Sequence, residues 1–408
     1  MAPALQGCGL QPWLPRQTLH ISIVPISSRG WVLSSADVVR AWDPLLRAFR
    51  KLQPSVQVQL SVLPENRLDE TLRLRRDRGL APDLLVVRAP LAVSLLQRGL
   101  IDPVPGADPT IRRTLQEIYP VALERVRTRA GLAGVPMFSE STLACFDRRR
   151  VSRSPASLAA LLELAASGQP IGLSVDPIGS YWTVGALGAE EPVVEIVTGL
   201  PSAAPLSPAR SRTLLLPWLR WLRQASLQSR VDLGSDARDL TLGLEAGRLA
   251  WIPCFGTSIV RLERTMGARL GVAPLPQGPA GPPSPYTSTL VWGLGSNSSA
   301  EQRRLALQLA ELSLDPLTQR DVSLALGVML PANRHVALPL SSSARLSAMA
   351  AALEQFSQSP DTLNRPWSWD YVARVLPTIE DTLMQVMVGS LTPEQGATLL
   401  DRLRPGRR

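Results

Sequence analysis

Apolar and polar residues alternate through His20-Ile21-Ser22-Ile23-Val24-Pro25, the two-residue period of a strand with one face buried. After a loop from Ile26 to Ser35, Asp37 caps a predicted helix that reaches about Leu52. Its apolar positions Val38, Trp42, Leu45, Leu46 and Phe49 share one helical face. Pro54-Ser55 ends it. Val56 to Leu63 reads as a second strand and Asn66 to Arg78 as a helix. Ala81 to Val87 reads as a third strand, followed by a helix over Leu91 to Arg98 that Gly99 stops. Strand and helix thus alternate, the pattern of an open sheet with helices on both faces. In such sheets the loops at the carboxyl ends of the strands form the binding crevice.

Pro136 to Asp147 has no turn between Met137 and Phe146 and reads as one long strand leaving the first unit. A second unit follows. Ser154-Pro155-Ala156-Ser157-Leu158 opens a helix, and Ile171 to Val175 is a strand leading into a loop over Asp176 to Trp182. Leu214 to Gln224 and Leu240 to Gly247 are predicted helices, and Arg248 to Cys254 and Leu270 to Pro276 strands. A Pro/Gly-rich loop, Gln277 to Pro285, precedes a strand at Leu290 to Leu294 and a helix at Ala300 to Leu312. From Ala344 onward the pattern is mostly helical, with Thr392 as an N-cap and Pro393 at the first helical position. There is no internal repeat.

The chain has 408 residues, room for two or three domains of ~100–200 residues each. Apolar residues at 45% and charged residues at 19% exclude a largely disordered chain. No stretch approaches the ~18 consecutive apolar residues of a bilayer span. The net charge is +9, nearly all of it arginine, since Lys51 is the only lysine. The arginines are scattered among leucines, as in Leu72-Arg73-Leu74-Arg75-Arg76, and Arg148-Arg149-Arg150 carries no interleaved aromatics. Solvated helix faces account for this better than a nucleic-acid surface. Two histidines, His20 and His335, and three cysteines cannot supply a compact zinc site, and neither histidine sits beside a nucleophile. No phosphate-binding glycine loop occurs. Neither a metal nor a cofactor is expected. Cys145 and Cys254 are either buried thiols or one disulfide. Leu5-Gln6-Gly7-Cys8 resembles the site at which bacterial lipoproteins take their lipid, though Gln6 departs from that pattern and the basic and apolar regions that should precede it are absent. Either a longer signal segment lies upstream and Cys8 is lipidated, or the likeness is accidental.

The order of these segments resembles the extracellular solute-binding proteins of bacterial ABC importers, the family typified by maltose-binding protein. The resemblance runs from about residue 19 to 403. It is carried by Phe49-Arg50-Lys51-Leu52-Gln53-Pro54, by Pro82-Asp83-Leu84-Leu85-Val86 with Gly99-Leu100-Ile101-Asp102-Pro103, and by Gly134-Val135-Pro136. Leu244-Glu245-Ala246-Gly247-Arg248, Gly271-Val272-Ala273-Pro274 and Gly389-Ser390-Leu391-Thr392-Pro393-Glu394 extend it. It implies a periplasmic-binding-protein type II-like α/β fold, two lobes with a hinge and an interlobe ligand cleft. Residues 1–18 would be a signal remnant or tether, 19–137 with 270–332 the first lobe, and 138–269 with 333–404 the second lobe with the C-terminal helices. It further implies a monomeric, non-catalytic receptor outside the cytoplasmic membrane that delivers a sugar or polyol to an ABC permease.

A sugar offers an apolar face to aromatic rings and hydroxyls to fixed polar groups. Ten tryptophans against four tyrosines and five phenylalanines suit stacking. Trp31, Tyr181, Trp182, Phe255, Tyr286, Trp367 and Trp369 sit at predicted strand ends or in loops, whereas Trp42, Trp218 and Trp221 lie in apolar helical patterns of core type. The resemblance adds Glu140, six residues before Phe146, where the family has a sugar-contacting glutamate. It adds Arg88 after the third strand, Asp176 in the loop that also holds Tyr181 and Trp182, and Thr257, where the family often has tryptophan. An anionic polyol clamped by Arg88 and Arg365 is an alternative ligand. A carbohydrate-active enzyme is a further alternative, but the acidic pairs Asp69-Glu70 and Glu190-Glu191 read as solvated edges.

Overall fold

The computed structural model describes residues 17–25, 27–28, 31–32, 35–174, 177–202, 206–234, 236–327, 329–357 and 369–406. Two sheets organise them. The first runs in the order Leu330–Pro331, Val135–Ser141, Thr287–Gly295, Leu84–Arg88, Gln17–Ile23, Val56–Val62, with Ile101–Asp102 beside Thr287–Gly295. Gln17–Ile23 pairs parallel with both of its neighbours, as the alternation of strand and helix requires. Thr287–Gly295 enters antiparallel between Leu84–Arg88 and Val135–Ser141. Both faces are covered, which is why Leu84 to Val87 is an unbroken apolar run. Leu84 and Val86 face a core with Trp42, Phe49 and Trp292, while Leu85 and Val87 face one with Leu72 and Leu95.

The second sheet runs Val231–Gly234, Ile171–Ser174, Trp251–Cys254, Leu143–Asp147, Leu270–Ala273. Its faces bury one cluster around Trp182, Trp218 and Trp251 and another around Leu143, Cys145, Ile252 and Cys254. Cys145 and Cys254 form a disulfide with Cα atoms 5.8 Å apart. The long strand expected over Pro136 to Asp147 is two strands, one in each sheet, with Thr142 alone between them. Val135–Ser141 stays in the first sheet through Ser141, and Leu270–Ala273 is held in the second sheet by its ladder with Leu143–Asp147.

Helix starts follow their caps. Ser157, Ser207, Asp236 and Asp315 each accept a backbone N–H of the first turn. Thr392 does so as expected, and Gln395 closes a capping box with it. The C-terminal helix Pro393–Arg402 is fastened by a buried ionic cluster. Arg404 donates through Nε to Glu195 (2.5 Å), through Nη1 to Asp401 (2.9 Å) and through Nη2 to the Leu206 carbonyl (3.0 Å). All three ionic side chains are at most 5% exposed. No helix among the described residues is long and apolar enough to cross a membrane.

Candidate functional site

Arg88 ends strand Leu84–Arg88 and immediately precedes helix Ala89–Gln97, so its side chain stands at the carboxyl edge of a parallel strand. Glu65 follows the parallel strand Val56–Val62, which lies beyond Gln17–Ile23 in the same sheet, in a short turn and reaches the same edge. Arg88 Nη2 donates to both Glu65 oxygens, at 2.7 and 2.8 Å. Glu140 and Ser288 are register partners on the two adjoining strands. Their neighbours Ser139 and Ser141 point to the opposite face, where their hydroxyls pair with Thr289 (3.3 Å) and Thr287 (3.2 Å). Tyr286 sits where the chain enters the first sheet. Its carbonyl accepts both the Thr142 N–H (3.0 Å) and the Thr142 hydroxyl (3.2 Å).

Two groups that the sequence reading passed over complete the cluster. Arg125, just past helix Pro120–Glu124, donates through Nη1 to the Thr287 carbonyl (3.1 Å) and to Thr289 Oγ1 (3.0 Å). Burial lowers its guanidinium to about 10, against the pull of the Tyr286 and Tyr181 hydroxyls. Glu190, expected as a solvated edge, is half-buried, accepts the Ser284 hydroxyl at 3.0 Å and pushes the Tyr181 hydroxyl up beyond what burial does. Burial raises Glu140 to about 7, and the nearby Arg88 charge opposes the rise. Tyr286 is raised by burial, while Arg88 and Arg125 oppose and Glu140 and Glu65 reinforce the rise. These influences link Glu65, Arg88 and Glu140 to Tyr286, and Arg125 joins Tyr286 to Tyr181 and, through it, to Glu190. Phe255, at the start of helix Gly256–Met266, sets its ring edge-on to Tyr286 with centroids 6.2 Å apart.

Two buried polar atoms in this neighbourhood, Glu140 Oε2 and the Tyr181 hydroxyl, meet no hydrogen-bond partner among the described residues. Their side chains come from different units: Glu140 from a strand of the first sheet, and Tyr181 from the turn between the short helices Pro177–Ser180 and Thr183–Ala186 of the second unit. An unmet buried polar atom costs about 1–3 kcal/mol.

Of the expected site residues, the structure therefore brings together Arg88, Glu140, Tyr181, Phe255 and Tyr286. Trp182 is a correction. It is 1% exposed, in edge contact with Trp221 and Trp251 at 6.5 and 6.0 Å, and belongs to the second-sheet core. A strap over residues 277–285 lies across it, with the Ser284 N–H donating to the Trp182 carbonyl (2.9 Å) and Ala280 N–H to that of Ala186 (3.0 Å). The other tryptophans with described side chains, Trp42, Trp218, Trp221, Trp251 and Trp292, are buried as well, so the tryptophan surplus serves packing there. Part of the loop expected over Asp176 to Trp182 is the short helix Pro177–Ser180. Trp31, Thr257 and Trp369 lie in described strand or helix backbone, and their side chains lie outside the described residues. Cys8, Asp176, Arg365 and Trp367 lie outside the described residues altogether. No group of His, Cys, Asp and Glu that could hold a metal occurs among the described residues.

The strap is pinned by contact as well as by hydrogen bonds. A Cβ added at Gly278 would stand 2.1 Å from the Ala186 carbonyl oxygen. Gly278→Ala is expected to lower the stability of the fold by about 1–3 kcal/mol, read as a fall in the urea midpoint at unchanged slope. An unchanged midpoint would mean that the strap can lift away.

The sequence matches no family model and no curated protein. Solved structures do match it. The Thermus thermophilus maltotriose binding protein, bound with maltotriose, superposes with a TM-score of 0.68 at 16% identity, covering 94% of this chain and 97% of that one. A cyclo/maltodextrin-binding protein complexed with maltotetraose gives 0.72 at 15% identity over 94% and 96%. A maltodextrin binding protein from L. casei BL23, without ligand, gives 0.72 at 16% identity over 95% and 97%. The chain has the fold of these proteins, the two-sheet α/β fold of type II periplasmic binding proteins.

Proposed function

We propose that this chain is the substrate-binding component of an ABC importer, a non-catalytic receptor that closes two hinged lobes on a neutral sugar or related polyol and delivers it to a membrane permease. The observation that carries the reading is the pair of buried, unmet polar atoms, Glu140 Oε2 and the Tyr181 hydroxyl, contributed by a first-sheet strand and a turn of the second unit and linked through Tyr286 and Arg125. Hydroxyl groups both donate and accept, so a polyhydroxyl ligand satisfies a carboxylate and a phenol at once. Phe255 and Tyr286 supply flat apolar surface beside them. The solved structures of like fold include proteins with maltotriose and maltotetraose bound, which points to malto-oligosaccharides as the first ligands to try.

The lobes would be the units built on the two sheets, with the hinge at Thr142 and at the returns after Ala273 and Pro331. The Cys145–Cys254 disulfide suits an oxidising compartment, hence action outside the cytoplasmic membrane. A lipid on Cys8 would tether the receptor there. The anionic-ligand alternative is weaker, because the Arg88 guanidinium is already engaged by both Glu65 oxygens.

Thermal unfolding tests the reading. Maltose, maltotriose and maltotetraose are expected to raise the midpoint, by the equivalent of about 2.7 kcal/mol at a hundredfold excess over Kd. The same ligand should shrink the radius of gyration in small-angle scattering. A shift by glycerol phosphates and none by neutral sugars would overturn the sugar reading in favour of an anionic one.

A further inference from the structure

We propose that the Cys145–Cys254 disulfide is a positioning element of the binding site, holding the Phe255–Tyr286 ring pair against the chain crossing at Thr142. This rests on the reading of the cluster as a ligand site.

The bridge sits where two strands end beside that site. Leu143 faces Cys254 on the last rung of their ladder, and Cys145 faces Ile252. The sulfurs therefore join diagonal neighbours, tying the last residue of Trp251–Cys254 to the middle of Leu143–Asp147. Phe255 is the next residue after that tie. Its side chain makes no capping bond to the helix it precedes, and its ring is set against Tyr286 instead. The Tyr286 carbonyl in turn accepts two hydrogen bonds from Thr142, which adjoins the strand that carries Cys145. Main chain 142–145, the sulfur bridge, main chain 254–255, the ring contact and the Thr142 hydrogen bonds close a circuit around the foot of the site. The ladder alone leaves the Cys254 end open to fraying, and strand ends are where local opening begins. The sulfurs are buried among Leu143, Leu240, Ile252 and Ile259, so the bridge is a permanent brace shielded from soluble thiols.

The test compares the wild type, Cys145→Ala/Cys254→Ala, Phe255→Leu and the combination, each well below its own melting midpoint. Cys145→Val/Cys254→Ala refills the core should the alanine pair not fold. Calorimetry with maltotriose is expected to show each single change weakening binding about fivefold or more, and the combination no weaker than the worse of the two. Unchanged affinity without the bridge, or losses that simply multiply, would overturn the proposal. Hydrogen exchange without ligand gives an independent reading. The Thr142 amide should exchange about tenfold faster without the bridge, while the Val86 and Val87 amides of the first sheet keep their protection. Equal protection at Thr142 would sink the brace whatever the ligand. If the wild type binds no maltotriose and Thr142 still loses protection, the malto-oligosaccharide reading fails and the brace stands.

Discussion

Replacing Arg404 by alanine is expected to lower the free energy of unfolding by about 3–5 kcal/mol, measured by urea denaturation. The size follows from what is left behind. Glu195 is 3% exposed and Asp401 5%, and both carboxylates face the Arg404 guanidinium. Removing the guanidinium leaves two acids desolvated with their main cation gone, which is far worse than losing one exposed ion pair. The Leu206 carbonyl would lose its donor as well. Arg404→Lys keeps the charge but cannot reach three acceptors with a planar fork, so it should fall between the two. The same cluster gives an acid signature. Burial would raise Glu195, but the hydrogen bonds from Ser202 and Arg404 outweigh it and hold the carboxyl below its usual range. Its contribution is therefore complete above the ordinary glutamate pKa near ~4.3 and fades as the pH drops through the lowered folded value. A loss of less than about 1 kcal/mol in the alanine variant would show that this end of the chain is not fastened as described.

Glu140 behaves in the opposite sense. In the unliganded fold burial lifts its carboxyl to about 7, while the unfolded chain titrates it near ~4.3. Between those values the folded state holds a proton that the unfolded state has released. Stability therefore falls as the pH rises from ~4.3 to ~7 and levels off above, by about 4 kcal/mol in all. Glu140→Gln removes the charge and keeps the shape. It should be more stable than the wild type at pH 8 by about that amount and indistinguishable from it at pH 4. Urea titrations of both proteins across this range decide the matter, and parallel pH profiles would refute the assignment.

Much of the architecture could be read from local pattern. The strands at Gln17–Ile23, Val56–Val62 and Leu84–Arg88 show β-rich runs bounded by breakers, and the helices between them show one apolar face. Helix Glu190–Thr198 could not be read that way. Its Pro192 and β-branched Val193, Val194 and Ile196 argue against helix, and burial of those residues in the second-sheet core overrides the propensity. Helix Gly256–Met266 begins at Phe255 with no capping side chain, so it has no start signal. Helix Pro316–Leu326 does carry one, Asp315 before Pro316. In the site, Glu140, Arg88 and Tyr286 stand at strand ends, where position along the chain already speaks. Arg125 lies in Glu124-Arg125-Val126-Arg127, which looks like any solvated charged stretch. Only the tertiary approach of Thr287 and Thr289 reveals it. Trp182 is the converse case: a large ring near a strand end looks available in sequence, and only the packing of Trp221 and Trp251 against it shows it to be core.

The single-residue passage at Thr142 makes the run from Phe138 to Asp147, which starts beyond the ladder irregularity at Met137, a ruler shared by both halves of the molecule. Side chains on a strand change sides at every step, so the phase set by Phe138 and Glu140 is handed on to Ala144 and Phe146. Inserting or deleting one amino acid at that point would invert one half relative to the other, sending either Glu140 away from Arg88 or Cys145 away from Cys254. Sequence length here is thus under tighter constraint than sequence identity.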